Sequence, residues 1–374
     1  MNTRYNLLTL RYFRPCFTLV ELLVAISIIG ILASMVLFTL AGAQRDAKIS
    51  KTKATIEKIN SVLMERFEEY RYRSVKMSVP MSLTRKDPGT GIVALSPRIA
   101  ATVRTVILKD IMRMELPDRM SDLAYSPTNV SFPIQTSSGP VTVDLNSAPF
   151  TGRYSPREFN ILRNYFDLPT VPEPWTGGII PSTPATWTTD WESAECLYAI
   201  LAHSTVAGGP ALEGFHPSEV GDKDSDGYLE FWDAWENPIG WLRWPAAYPS
   251  ALNQSYKQMV LNSALTGMEP ASPDAFDPYR TSVDTSGVSY WSPSRTQMPW
   301  TLVPLVISAG PDGVYGLEPI GTSPNKLLVD NTTVTPYALN QNPFFPSPDV
   351  PSVGSVVNAV ATQDNISNHD LLLE

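Results

Sequence analysis

Three aspartates at alternate positions open the most chemically dense stretch of this chain, Asp222-Lys223-Asp224-Ser225-Asp226-Gly227-Tyr228-Leu229-Glu230-Phe231-Trp232-Asp233. Acids at positions one, three and five, glycine at six, an aliphatic residue at eight and an acid at twelve follow the spacing of a calcium-binding loop. Hard oxygen ligands gathered around one cation would offset the mutual repulsion of such closely spaced carboxylates. Asp222, Asp224, Asp226, Tyr228 and Asp233 are thus the first candidate metal ligands, with calcium the expected ion. Position twelve is aspartate instead of the glutamate preferred by the helix–loop–helix form, and no clear helical pattern precedes the loop. The competing reading is a solvated acidic turn.

The second informative residue is a lone acid in an apolar run. Phe17 to Ala43 carries one charge, Glu21, and Leu22 to Ala41 alone would form a helix about 30 Å long, enough to cross a hydrocarbon core. A carboxylate at the edge of the bilayer core is costly, so it snorkels to the headgroups or has a partner. Cleavage between Cys16 and Phe17 would create such a partner, a free α-amine four residues from Glu21. The apolar run is too long for a secretory signal peptide, and no A-x-A site closes it.

Arg14-Pro15-Cys16-Phe17-Thr18-Leu19-Val20-Glu21-Leu22-Leu23 resembles the prepilin cleavage and methylation segment of type IV pilins and type II secretion pseudopilins, with Cys16 where that family has glycine. The resemblance implies that prepilin peptidase cuts after Cys16 and methylates Phe17. It also implies that Glu21 neutralises the N-terminal amine of an adjacent subunit during filament assembly. Asp233-Ala234-Trp235-Glu236-Asn237-Pro238 and Ser308-Ala309-Gly310-Pro311-Asp312-Gly313 are similar to the two C-terminal signatures of the major pseudopilin, with Glu236 replacing a glycine. By the same resemblance Ser308, Asp312 and Asp364 are candidate ligands of a second, weaker calcium site.

These residues need elements to hold them. Ile49, Ile56, Ile59, Leu63, Phe67 and Tyr70 recur at helical spacing, and no proline falls between Pro15 and Pro80. One helix over roughly 17–73 follows, half in the membrane and half packed on a globular body, with a coiled-coil stalk as the alternative. Ile99 to Met114 marks a second helix. Ser155-Pro156-Arg157-Glu158 and Thr189-Asp190-Trp191-Glu192 have the form of capping boxes and predict helices to about Phe166 and Ala202. Strand candidates are Val141–Leu145, Ile239–Trp244 and Leu302–Ser308. Proline-rich connectors cover 168–187 and 333–353, consistent with 34 prolines in 374 residues. The expected fold is α+β and pilin-like: a long N-terminal helix on a loop-rich domain with a small antiparallel sheet. The expected divisions are a leader (1–16), a transmembrane helix (17–43), an amphipathic stalk (44–76) and a body (77–374). Within the body, 77–215 has no counterpart in the resemblance and 216–374 is the calcium-loop region.

Charge divides the chain likewise. Residues 1–16 carry +3 and 44–76 carry +4, whereas 77–374 carry −15 within a total of −9. The basic flank favours a cytoplasmic N-terminus, the resemblance implies a bacterial inner membrane with the body in the periplasm, and the acidic body argues against nucleic acid as a partner. No metalloprotease, nucleophile-elbow, P-loop, Rossmann or C-x-x-C motif occurs. Cys196 and His203, seven residues apart on one helix, are about 10 Å from each other, too far for proton transfer. The expected protein is therefore no enzyme and has no organic cofactor. It is a structural pseudopilin-like subunit whose partners are prepilin peptidase, copies or relatives of itself in a filament, and an inner-membrane assembly platform. The alternative is a single-span, membrane-anchored periplasmic binding module that never polymerises. Trp175, Trp187, Trp191, Trp232, Trp235, Trp241 and Trp244 would serve either a ligand platform or, more in keeping with their density, a loop-pinning core.

Overall fold

The computed structural model describes residues 18–75, 84–86, 93–95, 97–124, 131–136, 139–144, 156–169, 186–188, 190–206, 208–245, 248–253, 276, 302–317, 327 and 354–373. Two compact units divide the chain after Ser50, and each is described by itself. Helix α1, Leu19–Glu69, contributes to both. It starts two residues after the expected Phe17 and stops four short of Arg73. The amides of Arg71, Tyr72 and Arg73 each bond the carbonyl three residues back, at 3.1 to 3.3 Å, so the last turn tightens and ends the helix.

In the first unit α1 is an exposed apolar rod. Leu19, Ile29, Met35, Leu37 and Phe38 are largely exposed, and this helix is long and apolar enough to cross a membrane. Its hydroxyls are satisfied internally. Ser27 and Ser34 donate to the carbonyls of Leu23 and Ile31, both at 2.8 Å, and Thr39 donates to Val36 at 2.9 Å. Such back-bonding suits polar side chains to hydrocarbon.

In the second unit the remainder of α1 buries Thr52, Thr55, Ile56, Ile59, Leu63 and Phe67 along one stripe, continued by Tyr70. Each large apolar side chain so buried contributes about 1.5–3 kcal/mol. Polar bonds fix the register. Thr55 Oγ1 donates to Glu219 at 2.5 Å, Lys58 pairs with the same carboxylate at 3.2 Å, and Arg66 reaches the Ile200 carbonyl and Ser204. Tyr70 and Arg73 both bond Glu115 at the end of α2 (Pro97–Glu115).

Helix α2 leads through α3 (Met120–Ala124) to α4 (Arg157–Tyr165) and α5 (Glu192–Ala202). Pro156 and Trp191, the described residues at the starts of α4 and α5, make no side-chain cap. Pro156 precedes α4 directly, and Trp191, at φ 62°, precedes α5. Glu192 accepts from the Met120 amide at 2.9 Å. Ser155, Thr189, nearly all of the 168–187 connector and all of 333–353 lie outside the described residues.

The strands are short. β1 (Thr84–Lys86) pairs with β2 (Val93–Leu95), β3 (Ser131–Thr136) with β4 (Gly139–Asp144), β5 (Thr205–Val206) with β6 (Gly209–Pro210), and β7 (Val220–Gly221) with β8 (Glu230–Phe231), all antiparallel. The central sheet is β11–β10–β9, antiparallel throughout, with β9 at Ile239–Leu242, β10 at Leu305–Ser308 and β11 at Ile366–Ser367. Helix α5 is buried from Glu192 to Leu201 and joins two apolar clusters. Cys196 and Ala199 pack with Phe159, Phe166 and Trp187, while Ala194 packs with Leu305, Ile307 and Tyr315. The chain is thus α+β, with a long apolar N-terminal helix and a small antiparallel sheet. Residues within 77–215 supply much of the first cluster, so this region belongs to the same core as the acidic loop.

Candidate functional site

The described residues begin at Thr18, within the segment around Glu21. Cys16 and Phe17 lie outside the described residues, and Thr18 is the residue before α1. The Thr18 amide and hydroxyl both donate to Glu21 Oε2, at 2.9 and 2.8 Å, and the Glu21 amide donates to Thr18 Oγ1 at 3.2 Å. This reciprocal pair is a capping box. Within one chain Glu21 therefore has a local partner, which seats its carboxylate at the positive end of the helix dipole.

The aspartate loop folds back on itself. Gly227, at φ 102°, takes a backbone conformation that a side chain would strain, as a glycine at position six requires. Its amide donates to Asp222 Oδ2 at 3.0 Å, and the Tyr228 amide donates to Asp226 Oδ1 at 2.9 Å. The 186–188 segment closes over the loop. The Thr188 amide bonds Asp226 Oδ2 at 2.8 Å, and its hydroxyl bonds Asp224 Oδ2. Oxygens of Asp222, Asp224 and Asp226 all lie within 4.8 Å of one another, and a second trio at the same spacing joins Asp224 to Glu195 of α5 and Glu230 of β8.

These acids are short of hydrogen-bond donors. Glu195 and Glu230 are both 0% exposed. Trp187 Nε1 donates to Glu195 Oε2, and the Lys223 amide donates to Glu230 at 3.1 Å. Yet Glu195 Oε1, Asp222 Oδ1 and Asp224 Oδ1 are buried without any hydrogen-bond partner. Burial, added to the charges of Asp226, Asp224 and Glu230, pushes Glu195 up to about 10 despite the Trp187 bond. Burial and the Asp224 and Asp222 charges likewise push Glu230 up to about 8. Five carboxylates held this way demand neutralisation, by protons or by a cation.

Asp233 stands apart. It is 2% exposed, its Oδ1 accepts from the Trp235 and Asn237 amides at 2.7 and 3.0 Å, and its Oδ2 accepts from Ser308 Oγ at 2.6 Å. Asp233 and Ser308, expected in two different metal sites, thus bond each other and pin the turn after β8 to the end of β10. Glu236 sits at φ 66°, the left-handed conformation that a glycine adopts freely. Asp312 Oδ1 accepts from the Val314 amide at 2.8 Å in its own turn. Asp364 lies against Gly310, where an added Cβ would come within 2.4 Å of the Asp364 carbonyl oxygen. Among the described residues the close acidic trios include neither Asp312 nor Asp364.

The spacing argument reached Asp222, Asp224 and Asp226 but missed Glu195 and Glu230, and the Tyr228 side chain packs in the apolar cluster with Phe166 and Trp187. Glu230, at position nine of the loop, was within reach of the pattern. Glu195 comes from a distant helix, and no spacing could reveal it. Trp187, Trp191, Trp241 and Trp244 are buried, and the Trp232 ring fills the space a Cβ on Gly221 would need, at 2.0 Å. These indoles pin loops; Trp175 lies outside the described residues. The Cys196 thiol is buried in the core, and burial pushes it well above its ordinary value. His203 Nδ1 bonds the Ala199 carbonyl of its own helix at 2.9 Å. No protein-family model matches this chain, and neither does any curated protein or solved structure.

Proposed function

We propose that this chain is a structural subunit of a type IV pilin-like filament, of the pseudopilus kind, held in a bacterial inner membrane by α1 before assembly. The observation that carries the reading is the exposed apolar run of α1, which up to Ala43 has one acid, Glu21, in the opening turn of the helix. Solvent-facing apolar surface on this scale requires lipid or other helices around it. After cleavage by prepilin peptidase, a methylated amine on Phe17 competes with the Thr18 donors for Glu21, and a neighbouring subunit offers the same amine in trans. The acidic body faces the periplasm and contributes structure, not catalysis. The pilin-like reading of the fold has the same basis: a helix with an apolar exposed half and a packed half, beside a small antiparallel sheet.

The test is co-expression with a prepilin peptidase, followed by electron microscopy of sheared membrane fractions and N-terminal sequencing. The expected result is filaments of protein beginning at methylated Phe17, with incorporation of Glu21→Ala reduced about tenfold or more. Incorporated protein that retains residues before Phe17, or Glu21→Ala that assembles like the wild type, would overturn the proposal. Processed protein that stays monomeric in the membrane would favour the anchored binding module.

A further inference from the structure

The two acidic trios share one residue, Asp224, and join the 222–230 loop to helix α5. Oxygens bonded to one calcium ion at about 2.4 Å lie no more than about 4.8 Å apart, and each trio meets that spacing. Three buried carboxylate oxygens, one each on Asp222, Asp224 and Glu195, have no donor. An unsatisfied buried carboxylate is expensive, and Glu195 sits in the core with no exposed surface. We infer that the chain binds a calcium ion at Asp224, with further oxygens from Asp222, Asp226, Glu195 and Glu230, and that the ion clamps the 222–230 loop to helix α5.

This ligand set differs from the twelve-residue loop pattern. Position twelve, Asp233, is committed to Ser308 and to the amides of its own turn. Glu195 arrives instead from α5, 27 residues before the loop begins. The clamp accounts for two features that loop formation alone does not require. One is a glutamate in a fully buried helix, and the other is a 186–188 segment drawn over the loop by Thr188. Protons are the rival neutralising agent, since Glu195 and Glu230 are already driven toward their neutral forms. Calcium displaces those protons, because an ion at Asp224 meets several carboxylate oxygens at once and supplies a partner for oxygens that have no donor.

The experiment uses the full chain in detergent micelles, stripped with EDTA, so its outcome is independent of filament assembly. Calcium chloride titration by calorimetry should give saturable binding, with a rise in melting temperature that EDTA reverses. Asp224→Asn and Glu195→Gln should each weaken binding about tenfold or more while keeping the far-UV circular dichroism, and Asp312→Asn should bind like the wild type. If either cluster variant fails to fold, the wild-type melt with and without EDTA decides the matter. No saturable uptake and an EDTA-insensitive melt would overturn the inference and leave the carboxylates neutralised by protons. Loss of binding in Asp312→Asn, with Asp224→Asn unaffected, would overturn it by placing the ion at the C-terminal turn.

Discussion

His369 shows how one buried ring sets a pH limit for the body. It is 1% exposed, its Nε2–H donates to the Pro304 carbonyl at 3.1 Å, and its Nδ1 is buried without a partner. Tyr248 packs edge-on against the ring, and Asp370 is the nearby charge. Burial holds the imidazole below its ordinary value of 6.5, although the Pro304 and Val303 carbonyls and Asp370 pull the other way. The unfolded chain therefore takes up this proton first. Stability is fully present above about pH 6.5 and falls as pH drops below it, with a slope approaching ~1.4 kcal/mol per pH unit while only the unfolded state is protonated. Gln at 369 keeps an N–H donor near the Nε2 position but cannot titrate. Melting temperatures of the wild type and His369→Gln, measured from pH 8 to about pH 5, should run parallel above 6.5 and diverge below it, the wild type losing more. Parallel curves throughout would mean that His369 takes up its proton equally in the folded and unfolded states.

At the scale of elements, what the sequence disclosed was periodicity. The stripe Ile56, Ile59, Leu63, Phe67 and Tyr70 is buried as its spacing implies, and Ile49 is the half-exposed exception. The strand candidates around Val141, Ile239 and Leu305 became β4, β9 and β10. What stayed hidden was contact between segments distant in sequence. Arg243, just past β9, bonds Asp122 of α3 at 2.8 Å and the Leu116 carbonyl at 2.6 Å, and stacks on Trp244. A buried ion network of this kind leaves no local pattern, and neither does the Glu195 carboxylate. The turn after β10 was legible in part. Asp312-Gly313 has the form of a turn in sequence, but the reason for glycine at 310 is tertiary. Gly310 has φ 67° and lies against the Asp364 backbone. Gly310→Ala therefore combines a left-handed backbone, about 1–2 kcal/mol, with an overpacked contact that backbone on both sides cannot relieve, about 1–3 kcal/mol. The expected loss is more than ~2 kcal/mol in chemical denaturation. Gly313→Ala, whose nearest contact would be the Asn237 side chain at 3.4 Å, should lose less because it carries only the backbone penalty. Equal losses at the two positions would remove the close approach of Asp364 as the cause.

At the scale of the molecule, one helix carries two kinds of surface. Ile31 is 57% exposed and belongs to the unit ending at Ser50, whereas Ile59 is 0% exposed in the unit beginning at Lys51. The same residue type on the same helix should therefore answer to different solvents. Ile31→Lys places a charge near the centre of the apolar run, where the cost is about 2.5–3.5 kcal/mol on insertion scales, or a factor of roughly 100 in partition. Ile59→Ala removes packing atoms from the core and should cost the body about 2–5 kcal/mol. Alkaline extraction of membranes should leave the wild type and Ile59→Ala in the pellet and release much of Ile31→Lys. Thermal melts in detergent should place Ile59→Ala well below the wild type and leave Ile31→Lys beside it. If Ile31→Lys lowered the melt as Ile59→Ala does, the exposed apolar run would be serving the fold of the body. Its claim on lipid, and on neighbouring helices in a filament, would then lose its physical basis.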